Sequence, residues 1–256
     1  MDWPHDRSRS EKNRLIMYTL LVRLSLGLHN LSYKLASTFA IKAEGGLHPK
    51  HRLMNYHQFF LDHIRESNRV LDIGCGNGAL AFDLAKKAKR VLGIDLNPKH
   101  QSAWQGQFAA PNLTYKIADA ITLSPEQTFD VVVLSNVLEH IEHRVEFLTH
   151  ITPLAPTFLI RVPMIDRDWV TLYKKELGLE FRLDKTHFTE YTLENFTQEL
   201  ARAGLVIQSQ SIQFGEIWAV VSVVLKSSNK QKNFGCVLHT RLAKLTLLYC
   251  LLFFIL

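Results

Sequence analysis

The stretch that decides the fold is Val70-Leu71-Asp72-Ile73-Gly74-Cys75-Gly76-Asn77-Gly78. A short apolar segment carries the acid Asp72, three glycines then alternate with other residues, and a helical pattern begins at about Ala79. Glycine is needed where a backbone turns sharply and a ligand lies against it without an intervening Cβ atom. The N-terminus of the following helix adds unpaired N–H groups and a positive dipole end. This pattern predicts a strand, a ligand-binding loop and a helix.

The same alternation continues on the C-terminal side of the glycines. Short, β-branched apolar segments bounded by turn residues predict buried parallel strands. They lie at Val70–Ile73, Val91–Ile94, Leu113–Ile117, Val131–Leu134 and Phe158–Val162. Helical patterns fall between them at 79–88, 98–108, 137–151 and 168–178. Strands alternating with helices imply right-handed βαβ units and a doubly wound, Rossmann-like α/β fold with helices on both faces of the sheet.

Near residue 200 the alternation stops. Thr192 is a predicted N-cap, and Gly204 stands where a helix end favours a left-handed residue. Two apolar segments follow, Val206–Phe214 and Ile217–Leu225, joined only by Gly215-Glu216. So short a connection predicts an antiparallel hairpin. We therefore expect seven strands, mostly parallel, with an antiparallel hairpin at the C-terminal end.

The remaining segments define three predicted regions. Residues 1–65 contain amphipathic helices at 11–44 and 50–64, separated by Gly45-Gly46, and form a possible lid. Residues 66–226 form the α/β domain. Residues 227–256 are a polar linker and an apolar C-terminal tail, of which Leu245–Leu256 would rise only about 18 Å as a helix, against the roughly 30 Å of a bilayer core.

The glycine stretch resembles motif I of the class I S-adenosylmethionine-dependent methyltransferases of the small-molecule type. Its glycines are spaced by two and two, whereas the dinucleotide fingerprint G-x-G-x-x-G has steps of two and three. The resemblance implies that S-adenosylmethionine is the cofactor and that its methionine end lies against the loop, with Asp72 near the ammonium group. The residues it assigns to the cofactor here are Asp72, Gly74, Cys75, Gly76, Asn77 and Gly78.

Three later segments extend this resemblance in order. Asp95, followed by Leu96, ends the second strand and corresponds to the acid that binds the ribose hydroxyls; an N-cap role is the alternative. Asp119-Ala120 corresponds to the acid that accepts the adenine amino group, with a simple turn as the alternative. Ser135, Asn136 and Val137 follow the fourth strand and should face the methionine and sulfonium, because ligands bind at the carboxyl edge of such sheets.

Two histidines are the candidate catalytic residues. His187 lies in the insert before the last helix, where this family commonly builds its acceptor pocket, and its usual pKa suits a general base; local packing is an equal alternative. His140 lies just after the fourth strand. With Glu139, Glu142 and His143 it resembles a metal-binding face, but zinc usually needs three or four well-placed ligands. We therefore expect no metal.

Charge and cysteine content narrow the partners. The net charge of +6 and pI of about 9.2 favour anionic partners. Basic residues are interspersed with acidic ones rather than grouped with aromatics, which argues against nucleic-acid binding. Three cysteines form neither a disulfide framework nor a metal set, so a cytoplasmic location is expected.

The sequence does not identify the molecule that accepts the methyl group. The favoured interpretation is methyl transfer to a small biosynthetic intermediate. The alternatives are an enzyme that acts on a lipid or quinone at a membrane surface, through the N-terminal helix or the C-terminal tail, and a non-catalytic adenosyl-binding module. The segment that precedes the first strand is interpreted first as a solvated helix face, with a lid or an anion site as the alternative. Its residues are His48, Lys50, His51, Arg52, Asn55, Tyr56 and His57.

Overall fold

The computed structural model describes residues 8–224 except 47, 125 and 127. The predicted linker and tail at 227–256 therefore lie outside the described residues. The helices are α1 (Arg9–Ala43), α2 (Lys50–Met54), α3 (Tyr56–Asp62), α4 (Ala79–Ala85), α5 (Gln101–Gln105), α6 (Arg144–Ile151), α7 (Trp169–Glu176) and α8 (Leu193–Arg202). The strands are β1 (Arg69–Ile73), β2 (Arg90–Asp95), β3 (Leu113–Ile117), β4 (Val131–Ser135), β5 (Thr157–Pro163), β6 (Leu205–Gln213) and β7 (Glu216–Val223).

The seven strands form one sheet in the order β3-β2-β1-β4-β5-β7-β6. Strands β1 to β5 are parallel, and β7 runs antiparallel to both β5 and β6. The predicted fold class is confirmed, including the closing hairpin. The chain reverses its direction of winding between β1 and β4, so the carboxyl ends of these neighbours form the switch-point crevice where ligands bind in such sheets.

The core is divided into two layers by the sheet. Leu71, Val132 and Ile160 belong to the layer that packs on α6 and α8. Val70, Val133 and Leu159 belong to the layer that packs on α3 and α4. Because side chains alternate between the faces of a strand, Asp72 and Arg161 fall on the α3–α4 side. This alternation places two charged groups above the same edge of the sheet.

Several predicted boundaries are wrong. The helix predicted at 137–151 is a 3₁₀ turn at Leu138–His140 followed by α6, because the backbone is held between Asn136 at a φ of 57° and the Phe188 N–H bonded to the Glu139 carbonyl. The helix predicted at 98–108 is a 3₁₀ turn at Pro98–His100 followed by α5, which ends before Gly106.

Two other boundaries move for reasons of backbone conformation. The helix predicted at 50–64 is interrupted at Asn55, which is left-handed with a φ of 47°. The hairpin turn is Phe214-Gly215, with φ values of 52° and 72°, rather than Gly215-Glu216. Positive φ at both central residues is the type I′ geometry that matches strand twist. Glu216 therefore belongs to β7 rather than to the turn.

Candidate cofactor and acceptor site

The glycine loop lies at the switch point, directly after β1. Gly74 has a φ of 69°, and a Cβ atom there would lie 2.7 Å from Val137 Cγ2, which belongs to the loop after β4. Gly78 has a φ of 90°, and a Cβ atom there would lie 2.5 Å from the Tyr115 hydroxyl oxygen. Both positions therefore exclude side chains by conformation and by space.

A cavity of about 460 Å³ opens beside this loop. Of the residues predicted to bind cofactor, those that line it are Asp72, Gly74, Cys75, Gly76, Asn77 and Ser135. Those that do not line it are Gly78, Asp95, Leu96, Asp119, Ala120, Asn136 and Val137. The structure thus brings the loop and the end of β4 to one cavity, and leaves the later acids outside its wall.

Asp72 is the buried acid of the cavity. Its side chain is 1% exposed, and its Oδ2 atom has no hydrogen-bond partner. Burial, with Asp95 as a second cause, raises the pKa of Asp72 to about 8. A buried carboxyl group without a partner is costly unless a ligand completes it. A cationic group in the cavity would do so.

Asp95 holds the loop from the neighbouring strand. Its Oδ2 atom accepts a hydrogen bond from the Gly76 N–H at 2.9 Å, and its Oδ1 atom accepts one from the Asn97 N–H at 2.8 Å. Asp119 caps the 3₁₀ turn at Ala120–Thr122 by accepting from the Ile121 N–H at 3.1 Å. These contacts give both acids a structural role, and leave their predicted roles toward ribose and adenine as predictions.

Two aromatic residues that the sequence interpretation overlooked brace the loop. The Trp104 indole N–H donates to the Gly76 carbonyl at 2.9 Å, and the Tyr115 hydroxyl donates to the Gly78 carbonyl at 3.1 Å. Their rings are stacked with centroids 5.0 Å apart. The sequence feature that could have indicated this support is Gly93, which pairs with Tyr115 across β2 and β3. Only glycine at that position leaves room for the Tyr115 ring.

The N-terminal segment forms a wall of the cavity, contrary to its favoured interpretation as a solvated helix face. His51, Tyr56 and His57 line the cavity. His57 Nδ1 lies 2.6 Å from Asp83 Oδ2 on α4, and His51 Nδ1 lies 2.9 Å from the Tyr56 hydroxyl. These three residues therefore belong to the cavity wall, and their interpretation as a lid stays a prediction.

A buried ion pair lies on the same side of the sheet. Arg161 on β5 is 2.8 Å from Glu216 Oε2 on β7, and its Nε atom donates to Asn136 Oδ1 at 2.7 Å. The Arg161 guanidinium carbon lies 3.7 Å from the centroid of the Tyr56 ring. This cluster joins the hairpin, the loop after β4 and α3. No sequence pattern predicted this cluster, because Arg161 lies inside a segment that is otherwise apolar.

The two predicted catalytic histidines meet beyond the loop after β4. The His140 and His187 rings have centroids 4.6 Å apart in an edge-on arrangement. His187 is 5% exposed, and its Nδ1 atom lies 3.3 Å from Glu190 Oε1, while Arg167 pairs with the other Glu190 oxygen. His140 is exposed, and burial with the nearby His187 lowers its pKa. Neither histidine lines the 460 Å³ cavity.

Glu139 completes a group of three side chains. One ligand atom from each of Glu139, His140 and His187 lies within 4.8 Å of the others. Both Glu139 oxygens are buried without a hydrogen-bond partner, and burial raises its pKa to about 8. The sequence predicted no metal because no pair beyond the segment Glu139–His143 had suitable spacing, whereas the fold brings His187 from the insert to Glu139 and His140. The expectation of no metal therefore stays untested.

Comparison with known proteins shows which family this chain resembles. Residues 47–210 match the family profile described as "Methyltransferase domain". The chain belongs to the class I S-adenosylmethionine-dependent methyltransferase family. The match covers β1 to β5, the glycine loop and most of β6, so it includes every predicted site residue of this methyltransferase.

Curated relatives match over a shorter length. A ubiquinone biosynthesis O-methyltransferase of Rhodopseudomonas palustris is 28% identical over 152 residues, which are 56% of this chain and 60% of the relative. One of the same name from Albidiferax ferrireducens is 33% identical over 105 residues, which are 38% and 42% of the two chains. The match thus spans about three-fifths or less of the length of these relatives.

Solved structures agree on the fold of the methyltransferase. Magnesium protoporphyrin IX methyltransferase from Synechocystis, with bound SAH, aligns with a TM-score of 0.53 at 20% identity and covers 68% of this chain and 83% of its own. An S-adenosylmethionine dependent methyltransferase from Mesorhizobium loti aligns with a TM-score of 0.52 at 17% identity, covering 66% and 97%.

The cavity residues of the methyltransferase fit S-adenosylmethionine. Asp72 offers an unpartnered carboxyl oxygen to the ammonium group of the methionine end. The glycine loop offers a surface without side chains at the start of α4, where N–H groups favour a carboxylate. Ser135, at the end of β4, lines the same cavity. These residues would hold the zwitterionic methionine end of the cofactor.

Proposed function

We propose that the protein transfers the methyl group of S-adenosylmethionine to a hydroxyl group of a small-molecule biosynthetic intermediate. The observation that carries the proposal is the arrangement of His140, His187 and Glu190 one turn beyond Val137, the residue that touches Gly74. A hydroxyl acceptor needs a base that an amine acceptor can do without. The names of the curated relatives, which specify O-methylation in ubiquinone biosynthesis, support the same chemistry.

The bound cofactor supplies a methyl carbon attached to a sulfonium leaving group. The protein contributes chiefly by positioning, holding the acceptor oxygen about 3–3.5 Å from that carbon and in line with its bond to sulfur. His140 is the exposed member of the pair and takes the hydroxyl proton as the oxygen–carbon bond forms and the carbon–sulfur bond breaks. Its lowered pKa keeps the imidazole neutral near pH 7 and therefore able to accept a proton.

His187 positions that base. A hydrogen bond between its Nδ1 atom and Glu190 fixes one tautomer and directs its other nitrogen away from the carboxylate. Glu190 is held in turn by Arg167 and by the Leu183 N–H. Although burial opposes it, the hydrogen bonds from His187, Leu183 and Arg167 lower the pKa of Glu190, so this residue stays ionised. The insert thereby stabilises the His187 ring, which packs edge-on against His140.

The test is a transfer assay with methyl-labelled S-adenosylmethionine, first against fractionated cell extract and then against a panel of small hydroxylated compounds and their amine analogues. We expect the label in a methyl ether, which resists the mild base that hydrolyses a methyl ester, and none in the amine analogues. His140→Gln should lower kcat about 10²–10⁴-fold with little change in cofactor affinity. His143→Gln is the matched control, because His143 is exposed and three residues farther along the same segment.

Three outcomes would contradict the proposal or its mechanism. Label in an amine or on carbon would exclude O-methylation. Tight cofactor binding with no transfer to any fraction would favour a non-catalytic adenosyl-binding module. Loss of wild-type activity on dialysis against a chelator, restored by Mg²⁺, would show that the group Glu139, His140 and His187 acts through a metal rather than as a base.

A further inference from the structure

Helix α1 packs on the α/β unit through one side and turns most of its leucines away from it. On the packed side the Arg23 guanidinium donates to the Leu177 carbonyl at 2.9 Å, and the Lys174 ammonium donates to Asn30 Oδ1 at 2.5 Å. Leu26, between them on the same side, is the one buried residue of the helix. A surface helix of a soluble protein normally turns its apolar side to the core.

The opposite side of α1 carries an unbroken apolar stripe. Its central residues are Met17, Leu21, Leu24, Leu28, Leu31 and Leu35. Leu24, Leu28 and Leu31 are 61%, 58% and 54% exposed. Since successive residues are about 100° apart on a helix, Leu24 and the buried Leu26 point in nearly opposite directions. With Phe39 the stripe is about 33 Å long at a rise of about 1.5 Å per residue. Contiguous apolar patches of this size mark interaction surfaces.

We propose that this stripe binds α1 to the surface of an anionic lipid bilayer, with the methyltransferase unit held on the opposite side of the helix. Charge favours this occupant. The helix carries six basic side chains and one acidic side chain, so its net charge of +5 accounts for most of the net charge of +6 of the chain. Leucine-rich helices with basic flanks lie in the headgroup region of anionic membranes.

A second copy of the chain fits the stripe less well. The residues of the stripe are spaced by four and three, as in a coiled coil, but the flanking positions, such as Ser25, Gly27 and Ser32, provide no pairs of opposite charge. Two helices with the same large positive charge would also repel each other.

A membrane-spanning orientation also fits less well. The helix is long and apolar enough to cross a bilayer by length and composition. However, spanning would place Arg23 and Asn30 in the hydrocarbon and break their contacts with the α/β unit. The contacts that orient α1 therefore favour binding parallel to the surface.

The test is flotation of the full chain with vesicles of phosphatidylcholine and phosphatidylglycerol at 7:3, and with phosphatidylcholine alone. We expect binding to the anionic vesicles, weakened at least fivefold by 0.5 M salt. Leu24→Glu/Leu28→Glu should reduce the bound fraction at least tenfold. Thr19→Glu/Tyr33→Glu, which adds the same charge to exposed positions away from the stripe, should bind like wild type.

The alternatives give different results. If Leu24→Glu/Leu28→Glu floats as well as wild type, α1 is not the anchor and the proposal is wrong. If wild type is a dimer by sedimentation without lipid, fails to float, and becomes monomeric in that variant, the occupant is a second copy. Cofactor affinity, measured for both variants, should stay at the wild-type value, which shows that neither variant is misfolded. Since flotation requires no turnover, this result is separate from the identity of the acceptor.

Discussion

At the scale of single residues, the site depends on one carboxyl group that the unliganded fold leaves incomplete. Asp72 is buried, has an unpartnered oxygen, and has a pKa raised to about 8 by burial and by Asp95. A raised pKa means that the folded protein holds this proton more tightly than the unfolded chain does. The unliganded protein therefore loses stability as the pH rises from about 4 to about 8. A bound ammonium group reverses this, because it stabilises the charged carboxylate.

We predict that cofactor affinity rises with pH up to about 8 in the wild type. Below that pH the cofactor must displace a proton from Asp72, which weakens binding by up to about tenfold per pH unit. Calorimetry in two buffers of different ionisation enthalpy between pH 6 and 8 would detect the released proton. Asp72→Asn should bind weakly with little pH dependence, and should unfold at a higher temperature than unliganded wild type at pH 8. Proton release unchanged in this variant would place the titrating group elsewhere.

Asp95 gives a second test at this scale. Its carboxylate holds the Gly76 N–H at 2.9 Å and is the predicted partner of the ribose hydroxyls. We predict that Asp95→Ala weakens the binding of S-adenosylmethionine and S-adenosylhomocysteine at least tenfold, since hydrogen bonds to charged groups contribute about 1.5–3 kcal/mol. Calorimetry measures the affinity, and circular dichroism checks the fold. Unchanged affinity, or tight binding of NADH alone in wild type, would refute the assignment.

At the scale of elements, the glycine loop could be predicted from the sequence, whereas the aromatic side chains that brace it could not. The spacing of Gly74, Gly76 and Gly78 follows from local backbone requirements, which a sequence displays directly. The stacking of Trp104 on Tyr115 depends on the pairing of β2 with β3, and pairing is not local information. The same difference explains the histidines: each was recognisable by itself, but their meeting with Glu139 required the insert to fold back over the end of β4.

Gly78 allows the loop to be tested with an internal control. Gly78→Ala places a Cβ atom 2.5 Å from the Tyr115 hydroxyl at a φ of 90°. Gly204→Ala imposes a similar φ, 76°, with nothing within 4 Å of its Cβ atom. The left-handed conformation should lower the free energy of unfolding of both variants by about 1–2 kcal/mol. Overpacking should lower that of Gly78→Ala by about 1–3 kcal/mol more. Urea unfolding measures the difference. Equal losses would mean that Tyr115 moves aside without cost.

At the scale of the whole molecule, the sheet order could be expected from the alternation of strands and helices, because parallel units wind with one hand. The orientation of α1 could not. Its leucines predict a helix with an apolar side, and the usual expectation is that this side faces the core. Only the contacts of Arg23 and Asn30 show that the side opposite these leucines packs on the α/β unit. Likewise, the presence of Arg161 within an apolar strand is explained only by the structure, in which Glu216 on β7 forms an ion pair with it.

The pair Arg161–Glu216 joins three parts of the chain, so we predict that it controls the stability of the whole domain. Glu216 is 8% exposed and also accepts from the Trp218 indole N–H, while Arg161 is 3% exposed and lies on the Tyr56 ring. Arg161→Met leaves a buried carboxylate unpaired and should cost about 3–5 kcal/mol. Arg161→Met/Glu216→Gln removes both charges and should recover most of that loss. The free energies of unfolding in urea of Arg161→Met, Glu216→Gln and the double variant complete the cycle. If the losses are additive, the two side chains act independently, and the ion pair does not hold the hairpin to the site.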